Sequence, residues 1–109
     1  MDQHAIVIAD ADGVIIVWSE GAARLIGHSA DDAVGQKLDL IVPQNFRAQH
    51  WDGFGRVMGG GPVASAGQFF DLPVTCRDGG TRTLRGQLHV LRNQASRAIG
   101  AMAILSAPD

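Results

Sequence analysis

Apolar residues come first in two short blocks, Ala5-Ile6-Val7-Ile8-Ala9 and Val14-Ile15-Ile16-Val17-Trp18, parted by Asp10-Ala11-Asp12-Gly13. Two β-branched runs around an Asp/Gly turn predict a hairpin, closed by a positive φ at Gly13. Both strands are apolar on both faces, whereas a strand in a two-layer domain alternates. Continuous Val and Ile therefore predict that the second face is also covered, by a partner subunit or a flanking helix. From Ser19 the pattern turns helical in short pieces. Ser19 caps a turn running through Ala22, Ala23 and Leu25 to Gly27, and Ser29-Ala30-Asp31-Asp32 reads as a capping box for a second piece that stops at Gly35. Such pieces are too short to persist alone and need a sheet beneath them. After Leu38-Asp39-Leu40-Ile41-Val42, Pro43 starts the longest helix, predicted over Gln44 to Met58 and ended by Gly59-Gly60-Gly61-Pro62.

The remainder alternates with the period of a strand. Gln68 to Cys76 places Phe70, Leu72, Val74 and Cys76 on one face, Arg77-Asp78-Gly79-Gly80 turns, and Thr81 to Arg92 continues through Leu84, Gly86, Leu88 and Val90. Asn93 to Arg97 leads into a last strand, Ala98 to Leu105. Pro73 removes a ladder donor, so its strand is expected at a sheet edge or bulge. The order is β-β, several helices, then β-β-β, an α+β arrangement in one domain over residues 1–109.

A chain of 109 residues is large enough for one core and too small to hold a sensor and an effector together, so an effector is expected elsewhere. The net charge of −2 comes from nine basic and eleven acidic residues spread along the chain. That spacing gives no electrostatic footprint for nucleic acid or anionic lipid. The apolar runs are far shorter than the stretch of about 20 residues that spans a bilayer. With one cysteine, Cys76, and no basic-then-apolar leader at Met1-Asp2-Gln3-His4, a cytoplasmic location is expected. No nucleophile elbow, phosphate loop or dinucleotide fingerprint occurs, and Asp10/Asp12 and Asp31/Asp32 are explained by turns and caps. An enzyme is not expected, and no catalytic residue is assigned.

The element order, joined to Asp12-Gly13, Ser19-Glu20, Gly27-His28-Ser29, Gly35-Gln36-Lys37, Ile41-Val42-Pro43 and Arg77-Asp78-Gly79, resembles the PAS family over nearly the whole chain. The resemblance implies a five-stranded antiparallel sheet with several short helices and one longer helix packed on one face, enclosing an apolar pocket. It also implies a sensory role. Ser19 stands where the family often has Asn, and capping chemistry is kept.

On the longest helix Phe46, His50 and Phe54 are spaced to share one face. Pro43-Gln44-Asn45-Phe46-Arg47-Ala48-Gln49-His50 is similar to the helix of the rhizobial oxygen-sensing haem PAS domains. There a histidine at the same distance from the proline is the iron's proximal ligand, so the resemblance implies His50 as the haem ligand, with gas or redox sensing. The arginine that those sensors use near the gas falls here near Phe70. Trp51, about 100° round the helix from His50, is expected to anchor packing. The expected haem pocket is lined by Phe46, Phe54, Leu72, Leu84, Leu88, Met102 and Ile104. His4, His28 and His89 are expected to be structural or solvated, and Cys76 a small buried residue, since the cysteine pattern of the flavin-adduct PAS domains is missing at Gln44-Asn45-Phe46-Arg47. Two other readings stand beside haem. One is a cofactor-free interaction module that dimerises through the hairpin at Ile6, Ile8, Val14 or Ile16 or through the outer sheet face. The other is a sensor of non-covalent flavin or another small organic ligand.

Overall fold

The computed structural model describes residues 4–61 and 68–107. The hairpin forms as expected. The Asp10 carboxylate accepts from the backbone N–H groups of Asp12 (2.9 Å) and Val14 (3.0 Å), and Gly13 takes φ 79°. Strand β1 (His4–Asp10) thereby pairs antiparallel with β2 (Ile15–Trp18), with a register shift between Ile8 and Ala9.

One hydroxyl then joins the hairpin to the first helix. Ser19 Oγ accepts from Ile6 N–H at 2.8 Å and from Ala22 N–H at 3.2 Å, so it completes a β1 backbone bond and caps α1 (Glu20–Ile26) together. Gly21 follows because a Cβ there would strike the His4 carbonyl. Helix α1 ends on Gly27, at φ 106°, and Ser29 caps α2 (Ala30–Ala33) by accepting from Asp32 N–H. The long helix starts where expected, with its first turn tightened into a 3-10 turn (Gln44–Phe46) that continues as α3 (Arg47–Met58). Gly59 accepts no further helical turn; Pro62, expected to help stop it, lies outside the described residues.

Strands β3 (Phe69–Thr75), β4 (Thr81–Arg92) and β5 (Ala98–Ser106) complete a five-stranded antiparallel sheet in the order β2-β1-β5-β4-β3. Pro73 is on β3, an edge strand, where its missing N–H breaks no interior ladder.

Directly paired residues share a face of the sheet. One face carries the rows Ala5–Leu105–Gly86–Phe70, Val7–Ala103–Leu88 and Ala9–Ala101–Val90, with Leu72 paired to Leu84. Helical residues such as Ala22 and Ile26 pack on this inner face, and Val7, Ile15, Leu84 and Leu105 are fully buried there. The outer face carries Ile6–Ile104–Gln87–Phe69 and Ile8–Met102–His89. Met102 and Ile104, expected to line a pocket with Leu72, Leu84 and Leu88, are therefore on the opposite side of the sheet. The reason is the phase of β5, which puts its small residues under the helices and its large ones outward.

Replacing Ser19 removes a cap and leaves the Ile6 N–H without its acceptor. Ser19→Ala is expected to lower unfolding free energy by about 2 kcal/mol, read as a drop in the urea midpoint, while Ser19→Thr keeps most of the stability.

Candidate functional site

Helix α3 is fixed from its N-terminal end. Arg47 donates through Nε to the Val42 carbonyl and through Nη2 to the Asp39 carbonyl, both at 3.1 Å, and its Nε is 3.9 Å from the Asp39 carboxylate. One turn on, Trp51 Nε1 donates to Asp39 Oδ1 at 2.7 Å. The indole lies so close over Gly13 that any Cβ at that position would collide with its ring. Lys37 closes the cluster: its ammonium is 5.7 Å from the indole centroid and donates to the Asp12 carbonyl at 3.0 Å. Trp51 is thus a packing anchor, joining α3 to the β1–β2 turn.

His50 is packed among rings, with centroids 4.9 Å from Trp51 and 5.8 Å from Phe54. Its Nδ1 is buried and has no hydrogen-bond partner. Burial pushes the imidazole below its ordinary value of 6.5, and the Asp39 carboxylate only partly opposes this. At neutral pH the ring is uncharged and keeps a free lone pair.

The residues expected to line a pocket are placed differently from one another. His50 and Phe54 are in contact, and Leu72 and Leu88 are half-buried on the inner face. Phe46 is not part of this group: it ends the 3-10 turn ahead of α3 and is 41% exposed. Leu84 is on the inner face but fully buried in the core. In place of Met102 and Ile104, the inner face presents Ala101 and Ala103 on β5, the strand nearest α3, beside Val90 and Leu88. That floor of small residues was missed because large apolar residues were assigned to the inside. The alternation of Ala101 and Ala103 with Met102 and Ile104 holds the signal, but only cross-strand register gives its phase.

The other candidates have structural surroundings. The His28 carbonyl accepts from Trp18 Nε1 at 2.8 Å, and its ring meets the same indole edge-on. His89 faces outward beside Met102. Cys76 is buried, and burial raises its thiol, opposed by Arg82 and reinforced by Asp78. No group of three His, Cys, Asp or Glu side chains that could hold a bare metal ion occurs among the described residues, nor does a helix long and apolar enough to cross a membrane.

The profile of the family described as PAS fold matches residues 3–107. The chain belongs to the PAS family. A 46-residue stretch of this PAS domain, 42% of the chain, is 35% identical to the sensor protein FixL of Bradyrhizobium diazoefficiens and spans 9% of that protein's length. Among solved structures, the PAS domain of a Colwellia psychrerythraea protein has a TM-score of 0.82 at 19% identity, covering 98% of this chain and 87% of that one. The PAS domain of the Cronobacter turicensis RpfR quorum-sensing receptor, solved in complex with BDSF, has a TM-score of 0.73 at 13% identity and covers all of this chain and 97% of that one. At these identities the structural likenesses establish the fold.

The PAS domain's donor set fits haem in one respect that the structure itself supplies. A ring held neutral by burial has one unprotonated nitrogen, the kind of donor haem iron takes from a protein.

The depressed His50 pKa has a sign that is testable on haem-free protein. The unfolded chain binds the proton more tightly, so this contribution is fully present above 6.5 and is lost as pH falls from there toward the lower folded value. Urea midpoints taken at about pH 7.5 and about pH 5.5 are expected to fall on acidification, and His50→Asn is expected to shrink the fall.

Proposed function

We propose that this PAS domain is a ligand-responsive sensory module that holds haem between α3 and the inner sheet face, with His50 as the axial ligand. The observation that carries the reading is a half-buried His50 whose ring burial keeps neutral, on the helix position where the resemblance to the rhizobial haem sensors puts a proximal histidine. When bound, haem supplies an iron centre that takes a diatomic gas or changes redox state. The chain's own residues do the rest. His50 offers a lone pair, Phe54 packs beside the imidazole, and β5 turns the small side chains of Ala101 and Ala103 to the inner face. Leu72 and Leu88 give the site apolar flanks. Trp51, adjacent to His50, rests on Gly13, so a displacement of α3 reaches the β1–β2 hairpin directly. In this reading the domain binds and signals without catalysis and passes its state to an effector.

The check is an absorption spectrum of purified protein with and without added haemin. A Soret band that shifts or collapses in His50→Ala supports the reading, and a spectrum unchanged by haemin sinks it.

A second reading is favoured by the outer face. Ile6, Ile8, Met102 and Ile104 form an apolar patch there, and on the edge strand Ile16 is 51% and Val17 41% exposed. These residues support a homodimer through the hairpin or the outer sheet face, with or without a cofactor. Where haem is absent, the small-residue floor suits another apolar organic ligand or a non-covalent flavin; the RpfR PAS domain was solved with C12:0 as well as BDSF. Sedimentation of the wild type against Ile8→Asp and Ile16→Asp tests the interface. A dimer that becomes monomeric supports it, and an unchanged oligomeric state counts against this surface.

A further inference from the structure

A cleft of about 490 Å³ opens between the end of α1 and the β3–β4 turn, away from His50. Three of the chain's nine basic side chains, Arg24, Arg77 and Arg82, line it, and among the described residues its only carboxylate is Asp78. Asp78 Oδ1 is turned to its own loop, accepting from Gly80 N–H at 2.8 Å. Neither Arg77 nor Arg82 belongs to an ion pair among the described residues. In a protein of net charge −2, this is a local reversal of sign.

The arginines are also held in place. Arg82 donates through Nη1 to the Leu25 carbonyl at 3.0 Å, which pins its guanidinium at the rim. Arg77 is fixed through its backbone, donating to the Ile26 carbonyl at 2.9 Å, and the chain packs there so closely that a Cβ on Gly27 would sit 3.0 Å from Arg77 Cβ. Between them are the half-buried Leu25 and the buried Ile26 and Cys76.

Guanidinium groups recognise carboxylates through paired, charge-assisted hydrogen bonds. A segment with acidic side chains matches the guanidinium groups, and an apolar side chain beside them covers the half-buried Leu25. We propose that this cleft docks an acidic, partly apolar peptide segment of a partner protein. The charge complementarity supplies specificity and a fast encounter, and the site is independent of any cofactor at His50.

The probe is a short fluorescein-labelled peptide of alternating Glu and Leu, followed by anisotropy and by amide shifts of the isotope-labelled protein. Saturable binding is expected, with shifts centred on Gly27, Gly79 and Gly80, weakening as salt screens the charges. Arg77→Glu keeps the backbone bond to Ile26 and is expected to reduce affinity by about tenfold or more, with Arg82→Lys as a second variant. Arg92→Ala, at the end of β4, and Arg97→Ala, just before β5, are expected to leave affinity unchanged. The same affinity in Arg77→Glu, full displacement of the peptide by an equal concentration of inorganic phosphate, or concentration-dependent self-association in its place would each overturn the proposal. None of these readouts depends on haem.

Discussion

The phase of β5 governs both surfaces of the sheet. This strand is bonded on one side to β1 and on the other to β4, so its alternation is locked by two ladders at once. A slip of one residue would exchange Ala101 and Ala103 for Met102 and Ile104. Large side chains would then face α3, and the outer face would lose the apolar patch it shares with Ile6 and Ile8. Leu105, packed between Ala5 and Gly86, holds the phase, because it is fully buried where it stands and would face outward after a slip.

Helix α3 contrasts with that rigid frame. No residue of α3 is fully buried, and its firm attachments are gathered in the first turns at Arg47 and Trp51. Beyond them Phe54, Val57 and Met58 are only half-buried. An element anchored at one end and lightly packed along the rest has a lower local opening free energy than the strands below it. The anchor also rests on Gly13, where the close approach of the indole and the positive φ both demand glycine.

Much of this was readable from the chain. The hairpin, the serine caps at Ser19 and Ser29, the long helix and the edge position of Pro73 each rest on local chemistry that acts within a few residues, and each is found. The face on which each strand residue lies is less legible, because it depends on pairing between strands distant in sequence. Met102 and Ile104 were assigned inward from size alone, yet a central strand can present alanines to a helix and bulky residues to the far side. Phe46 has helical spacing from His50, but the tight turn after Pro43 leaves its ring exposed. The arginine cleft has no sequence signature at all, since Arg24 and Arg82 meet only through the packing of α1 against the β3–β4 turn.

The two tryptophans occupy opposite kinds of setting. Trp18 is 5% exposed, is part of the core and is tied to the His28 carbonyl. Trp51 is partly exposed, tied to a carboxylate and seated on the one helix with light packing. Indole emission is sensitive to local charge and hydration, so the protein carries a fixed internal reference and a reporter of α3 position in the same spectrum. Its own fluorescence therefore registers movement of α3 against the sheet without any label attached.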